Sequence, residues 1–149
     1  MQPFQLDSRL ATDCIELGYF PEQQQTNGLG NLVLLMDNTA FPWFVIVPTN
    51  VDVIDIDELS ESQQIIILKQ VNRLSGFLKR HYPVDKINFA TIGNIVKQMH
   101  FHLVARNESD NAWPGVVWGS EVSSRYTQAE IVKIKDKLAK EINEFKATN

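Results

Sequence analysis

The side chains best suited to chemistry lie together in one short stretch, from Lys97 to Arg106. Polar and apolar residues alternate there from Gln98 onward, which is the period-two pattern of a half-buried strand. Gln98, His100 and His102 would then stand in a row on one face of that strand. Two of the chain's three histidines lie here, and an imidazole is the side chain whose charge changes near neutral pH. At this spacing, both imidazoles can contact one phosphate or one metal ion.

The histidine pair is compatible with three roles. A neutral imidazole beside a phosphate can attack phosphorus and form a phosphohistidine or nucleotidyl-histidine intermediate. Alternate histidines on a strand are also a common pair of metal ligands, but a zinc site needs three or four protein ligands, so Asp or Glu residues would have to complete it. In the third role, His100 and His102 are polar side chains on a solvated sheet face and take no part in chemistry.

Three further strands are predicted to position the histidine strand. The segments Leu32–Met36 and Phe44–Val47 form a hairpin across a turn at residues 37–39. Ile87–Thr91 is the third strand, and Gly93-Asn94 turns the chain into the histidine strand. Strands that are linked this tightly favour an antiparallel sheet over a doubly wound parallel one.

The first predicted helix begins near the N-terminus. Either Asp7 or Ser8 can cap it, and apolar residues recur near the helical period as far as Leu17, before Gly18 ends it. Cys14 lies within this helix and is interpreted as small core packing.

Capping boxes predict two more helices. Ser60-x-x-Gln63 opens a long helix that runs to about His81, which suits the last turn as a surface cap. Thr127-x-x-Glu130 opens the last helix, whose apolar spacing continues to residue 145. Three apolar residues widen the stripe of the long helix and predict that its start is well buried: Ile65, Ile66 and Leu68.

Two long loops connect these elements. Pro21–Gly30 is polar and rich in Gln, and residues 107–124 are too long for a plain connection, so the second loop is interpreted as a functional cover. Trp113 and Trp118 in that loop, together with Trp43, either form walls of a ligand pocket or pack as core and interface aromatics.

Composition and charge limit the classes of function. At 149 residues, the chain fits one domain that spans positions 1–149. The net charge of −4 argues against broad binding to nucleic acid or anionic membrane, so a phosphate ligand has to be held locally. Cys14 is alone, residues 1–10 lack the apolar core of a signal peptide, and no apolar run approaches membrane-spanning length. We expect a cytoplasmic α+β protein with helices packed on an antiparallel sheet.

The histidine strand resembles the signature of the histidine triad (HIT) superfamily, His-x-His-x-His followed by apolar residues. His100 and His102 match the second and third histidines, whereas Gln98 stands in place of the first. The lead-in Gly93-Asn94-Ile95-Val96-Lys97 is similar to the family's Gly-x-x-Val-x approach, and the first hairpin is similar to the family's first strand pair. The resemblance covers roughly residues 30–106.

This resemblance implies a fold, a reaction and an assembly. The fold is a small antiparallel sheet with helices on one side, and the assembly is a homodimer. The reaction is hydrolysis or transfer of a nucleotidyl group from a nucleoside phosphate ester, anhydride or phosphoramidate. Apart from the resemblance, we expect no metal or other cofactor, because no acidic cluster stands near the histidine strand to hold a metal ion. His100 is the implied nucleophile, with its far nitrogen held by the backbone carbonyl of Gln98. His102 then donates to a phosphate oxygen or protonates the leaving group.

Several polar residues are candidates for substrate contacts. The amides of Asn88, Asn94 and Gln98 can hydrogen-bond phosphate oxygens or sugar hydroxyls. Asp37 resembles the family's ribose-binding acid. Arg106 ends the histidine strand and is interpreted as a surface charge rather than a phosphate ligand.

The replacement by Gln98 leaves two outcomes open. An amide both donates and accepts hydrogen bonds, so Gln98 can keep the role of the missing histidine. Alternatively, its presence marks a nucleotide-binding module with weak or no turnover.

Overall fold

One antiparallel sheet forms the centre of the structure, a computed structural model that describes residues 3–21, 30–49 and 51–149. Within these residues the strands are β1 (Cys14–Phe20), β2 (Asn31–Met36), β3 (Trp43–Pro48), β4 (Lys86–Ala90), β5 (Phe101–Arg106) and β6 (Lys146–Ala147). They lie in the order β4-β5-β3-β2-β1-β6 across the sheet, and every neighbouring pair is antiparallel. The predicted α+β class and antiparallel sheet are therefore confirmed.

Helices complete the described part of the chain. They are α1 (Ser8–Asp13), α2 (Glu61–His81) and α3 (Gln128–Glu141), with a short 3₁₀ helix at Ile56–Glu58. The predicted start of α2 is confirmed, because the Ser60 hydroxyl accepts from the Gln63 amide at 3.2 Å and the Gln63 side chain accepts from the Ser60 amide at 2.9 Å. The Thr127 hydroxyl caps α3 by accepting from the Glu130 amide at 3.2 Å, but the return bond of the predicted capping box, from the Glu130 side chain, is not formed.

The two faces of the sheet are buried by different parts of the chain. On the first, which we call the helix face, Phe44, Phe101 and Leu103 pack with apolar residues of α2 and α3. On the second, the loop face, Val45 and Val104 pack with residues from the N-terminal segment and from the connection between β5 and α3. Residues paired across antiparallel strands share a face, so His102, which pairs with Val45, lies on the loop face.

The predicted first helix is wrong beyond residue 13. Asp7 caps α1 with its side chain, but the chain becomes extended at Cys14 and continues as β1 to Phe20. The helical spacing of Leu10, Cys14 and Leu17 misled the prediction, because these residues do not share a face. Leu10 and Cys14 pack on the loop face, whereas Leu17 packs on the helix face.

Two further helix predictions need correction. The start of α2 is not buried: Ile65, Ile66 and Leu68 are 46%, 43% and 48% exposed, since the sheet covers only the opposite side of the helix. The last helix ends at Glu141 rather than near Phe145, although Phe145 stays in the core.

The two predicted loops have different outcomes. The loop at Pro21–Gly30 lies, apart from its end residues, outside the part of the chain that the structure describes. Residues 107–124 contain no helix or strand, as predicted, and they cover part of the loop face through Val117 and Trp118.

Candidate active site

The histidine strand begins later than predicted. β5 starts at Phe101, because its pairing with β3 ends there and its pairing with β4 ends at His102. Gln98 and His100 therefore precede the strand and are held by individual hydrogen bonds. The predicted meeting of the two imidazoles is nevertheless observed, with the ring centroids of His100 and His102 4.9 Å apart.

The hydrogen bonds of His100 define its protonation pattern. Its Nδ1 lies 2.6 Å from the backbone carbonyl oxygen of Gln98. A carbonyl oxygen only accepts, so Nδ1 must donate, and in the neutral ring Nε2 then carries the lone pair. The backbone carbonyl of His100 also accepts from the Thr91 hydroxyl at 2.9 Å. The imidazole and the backbone of His100 are thus each held by a hydrogen bond, and the residue is only 5% exposed.

The side chain of Gln98 points to the N-terminal segment. Its Oε1 accepts from the backbone amide of Asp7 at 2.8 Å, and its Nε2 donates to the carbonyl of Gln5 at 2.9 Å. The amide therefore uses both its donor and its acceptor on the backbone that leads into α1. Gln98 therefore makes three hydrogen bonds, two from its side chain to the N-terminal segment and one from its backbone carbonyl to His100.

His102 has a different partner. Its Nδ1 accepts from the indole Nε1 of Trp43 at 3.0 Å. An indole N–H is only a donor, so Nδ1 of His102 carries the lone pair and Nε2 carries the hydrogen in the neutral ring. Burial, and secondarily the neighbouring His100, lower the pKa of His102 from its ordinary value of 6.5 to about 3.

A second indole lies beside the histidines. The ring of Trp118 is 5.3 Å from that of His102 and 5.9 Å from that of Trp43, nearly edge-on to both. Its Nε1 is buried and has no hydrogen-bond partner among the residues that the structure describes. The loop that carries Trp118 is thus part of the site. Trp113, by contrast, packs beside Arg106.

The interpretation of Arg106 as a surface charge is wrong. Arg106 is 2% exposed, and it donates to both carboxylate oxygens of Asp110 at 2.7 and 3.1 Å. It also donates to the side-chain oxygen of Asn88 and to the carbonyl of Gly115. The hydrogen bonds from Arg106 lower the pKa of the Asp110 carboxyl. Arg106 therefore joins the loop of residues 107–124 to β5 by hydrogen bonds. The Oδ1 atom of Asn88 already accepts a hydrogen bond from Arg106.

The remaining candidate residues lie on other elements of the chain, and their side-chain hydrogen bonds go to residues other than His100 and His102. Asn88 is on the loop face, since it is two residues along β4 from Ala90, the partner of His102. Asn94 is exposed in the bend after Gly93, whose φ of 72° is a conformation that glycine adopts readily. Asp37, at the end of β2, accepts from the backbone amide of Tyr126 at 2.9 Å and from Arg125 at 3.3 Å.

Around the two imidazoles lie two indole rings, of Trp43 and Trp118, and the backbone carbonyl of Gln98. Within residues 3–21, 30–49 and 51–149, no group of three or more His, Cys, Asp or Glu side chains is placed to hold a metal ion. In the same part of the chain, no helix is both long and apolar enough to cross a membrane.

Comparison with known proteins identifies the family. The HIT domain matches residues 30–109, which is more than half of the chain. The chain belongs to the HIT family. Proteins of the HIT superfamily are generally nucleotide-binding hydrolases or transferases. No curated protein matches this chain in sequence.

Solved HIT structures agree over almost the full length. A histidine triad protein from Bradyrhizobium japonicum superposes with a TM-score of 0.82 and is 33% identical, and the match covers 95% of this chain and 99% of that chain. One from Marinobacter aquaeolei VT8 has a TM-score of 0.81 and 33% identity, with coverages of 97% and 100%. One from Sinorhizobium meliloti 1021 has a TM-score of 0.81 and 30% identity, with coverages of 93% and 97%.

Sequence reasoning about this HIT chain missed two contacts of the site. Nothing in the sequence linked Trp43 to His102, because 59 positions separate them. The contact between Gln98 and the N-terminal segment spans 91 positions. A usable signal existed only for Arg106, since Asp110 follows it at a spacing of four residues.

Proposed function

We propose that this HIT protein hydrolyses or transfers a nucleotidyl group through a covalent intermediate on His100. The observation that carries the proposal is the 2.6 Å contact between Nδ1 of His100 and the carbonyl of Gln98. It leaves Nε2 with the lone pair that nucleophilic attack requires. Because the contact uses the backbone of Gln98, the loss of the first triad histidine does not remove it.

The reaction proceeds in two displacements. The Nε2 lone pair of His100 forms a bond to phosphorus, and the bond from phosphorus to the leaving group breaks with its electron pair. Water or another acceptor then attacks the phosphorus of the adduct, the P–N bond breaks, and Nε2 recovers its lone pair. The attacking water loses one proton to solvent. Two steps replace one difficult attack of water on an unactivated nucleotide.

The other candidate residues have supporting roles in this proposal. His102 acts on the phosphate or on the leaving group, since its ring lies 4.9 Å from that of His100. Gln98 acts through its carbonyl and by anchoring the N-terminal segment. Asn88 and Asn94 offer amide N–H groups to phosphate oxygens. The carboxylate of Asp37 accepts hydrogen bonds from Tyr126 and Arg125. Its remaining lone pairs can accept from a ribose hydroxyl.

The test is a turnover screen with a trap for the adduct. Dinucleoside polyphosphates, nucleoside phosphoramidates and other nucleotide conjugates are incubated with the protein, and products are read by liquid chromatography and mass spectrometry. An acid-free quench followed by intact-mass analysis detects the nucleotidyl adduct, which peptide mapping assigns to a residue. We expect the adduct on His100.

Substitutions decide whether that adduct is on the reaction path. His100→Ala is expected to abolish nearly all turnover, whereas His81→Ala, which removes the remaining histidine at the end of α2, is a matched control and should retain it. Wild-type turnover by His100→Ala on every substrate, or an adduct that maps elsewhere, would overturn the mechanism.

A nucleotide-binding module without turnover is the second candidate. It is favoured by Gln98, whose side chain stands in place of the first triad histidine but is bonded to Asp7 and Gln5 rather than to His100 or His102. Calorimetry on the nucleotides of the same screen separates the two. Binding without product or adduct would support the module.

A homodimer is the proposed assembly, with α2 and the edge strand β4 as its surface. β4 has a strand neighbour on one side only, and its Phe89 is 41% exposed. Phe89 lies on the helix face, because it pairs with Leu103. Ile65 and Leu68 add exposed apolar area on α2, and a second copy of the chain can bury both patches.

A further inference from the structure

We propose that Trp43 holds His102 as a neutral hydrogen-bond donor rather than a proton-releasing acid, so that the site favours leaving groups that depart as stable anions. The leaving-group preference rests on the proposed function, but the protonation state of His102 can be measured without any substrate. Trp43 is a positioning residue in this scheme, because it acts on the substrate only through the imidazole.

The contact between the two side chains is built into the sheet. Trp43 begins β3 and pairs with Val104 on β5, one alternate position from His102 on the loop face. Its Nε1 lies 3.0 Å from Nδ1 of His102, and the ring centroids are 5.6 Å apart. Both residues are 6% exposed, so neither ring can easily reorient toward solvent. The strand pairing therefore fixes the donor and the acceptor together.

The chemistry of an indole makes this contact directional. The Trp43 N–H can only donate, so it occupies the Nδ1 lone pair of His102 and leaves the ring hydrogen on Nε2. Protonation of His102 would need that same lone pair and would place two N–H groups against each other. His102 lies next to His100, Trp43 and Trp118, and no carboxylate of the described residues hydrogen-bonds to it.

Burial acts in the same direction as the hydrogen bond. It lowers the pKa of His102 to about 3, so the ring is neutral at the pH of the cell interior. A neutral imidazole donates a hydrogen bond through Nε2, but releasing that hydrogen as a proton would create an imidazolate anion. His102 can therefore stabilise negative charge without supplying a proton.

This restriction separates two kinds of nucleotide substrate. When His100 attacks a phosphoanhydride, the P–O bond breaks and the electron pair leaves on a phosphate, which is stable as an anion and needs only a hydrogen bond. When it attacks a phosphoramidate, the P–N bond breaks and the amine must receive a proton. General acid catalysis is worth roughly 10²–10⁴-fold in rate. We therefore expect the rate enhancement over the uncatalysed reaction to be larger for anhydrides than for phosphoramidates by about that factor.

The first experiment reads the protonation state directly. Nitrogen NMR of protein labelled at histidine distinguishes a ring protonated at Nδ1, at Nε2 or at both, and assignment uses His102→Gln. We expect His102 to be protonated only at Nε2 from pH 5 to pH 8. His81, which is partly exposed, serves as an internal comparison. A hydrogen on Nδ1, or titration of His102 near pH 6.5, would overturn the proposal without the need for any substrate.

The second experiment uses a variant that keeps an aromatic ring and removes the donor. Trp43→Phe should free Nδ1 of His102 and raise the pKa of His102 measured by NMR. The ratio of anhydride to phosphoramidate cleavage rates should then fall by about tenfold or more. The two substrates compared carry the same nucleoside monophosphate. Trp113→Phe, which removes an indole that packs on Arg106, is the matched control and should leave the preference unchanged. An unchanged preference in Trp43→Phe, despite the NMR shift, would overturn the selectivity.

The two proposals fail in different ways. If the wild-type protein shows the Nε2–H ring but turns over no nucleotide, the assignment of Trp43 stands and the proposed enzyme fails together with the selectivity. If turnover is found with a titrating His102, the enzyme stands and the role of Trp43 is wrong.

Discussion

At the scale of single residues, the buried imidazole of His102 makes folding stability depend on pH. Its pKa falls from 6.5 in the unfolded chain to about 3 in the folded protein, because of burial first and of His100 second. Between these values the unfolded state binds a proton that the folded state does not bind. Stability is therefore highest above about pH 6.5 and falls as the pH drops toward 3. Between pH 7 and pH 5, we expect a loss of about 2 kcal/mol from this group.

The measurement compares urea unfolding at pH 7 and pH 5. The His102→Gln variant should lose less stability over this interval than the wild type, since it lacks the titrating ring. The His81→Gln variant is the control, and it should keep the loss that is due to His102. The same pH dependence in wild type and His102→Gln would show that His102 is not the group responsible.

At the scale of elements, the amide of Gln98 joins the N-terminal segment to the approach of β5. Gln98→Ala removes its hydrogen bonds to Gln5 and Asp7, while the carbonyl that holds His100 remains. Each such hydrogen bond contributes about 0.5–1.5 kcal/mol net. We expect faster amide hydrogen exchange in residues 5–10, and a smaller loss of turnover than in His100→Ala.

A second amide in the chain supplies the control for this prediction. Gln64 also donates its side-chain N–H to backbone carbonyls, those of Ile56 and Leu59, but away from the histidines. Gln64→Ala should leave exchange in residues 5–10 at the wild-type rate. Unchanged exchange in Gln98→Ala would mean that the N-terminal segment is held by its apolar contacts alone.

At the scale of the whole molecule, the exposed apolar side chains of α2 and β4 predict dimerisation. Sedimentation velocity should show a dimer at micromolar concentration, and Leu68→Glu should shift it to a monomer, because burying an unpaired carboxylate is unfavourable. Ile66→Glu is the matched control and should remain a dimer, since Ile66 lies on a different side of α2 from Leu68. A wild-type monomer at this concentration would contradict the proposed assembly.

The sequence by itself determined most of the elements and the fold class. Local signals were sufficient where hydrogen bonds join residues that are close in the sequence, as in the capping box of Ser60 and Gln63 that starts α2. They failed at β1, where Leu10, Cys14 and Leu17 have helical spacing but pack on opposite faces of the sheet. The register of β1 shifts between Glu16 and Gly18, so Leu17 and Phe20, three residues apart, both pack on the helix face and the period-two pattern is broken.

The sequence also determined the histidine pair, because alternation along one segment places His100 and His102 on one side. Only the tertiary structure decided what each ring can do. The proton on each imidazole depends on its partner, and the partner of His102 is Trp43 on another strand. In the same way, Arg106 is buried rather than exposed because Asp110, Asn88 and Gly115 surround it. Spacing along the chain fixes which side chains can meet, whereas protonation and burial depend on groups brought together from distant positions.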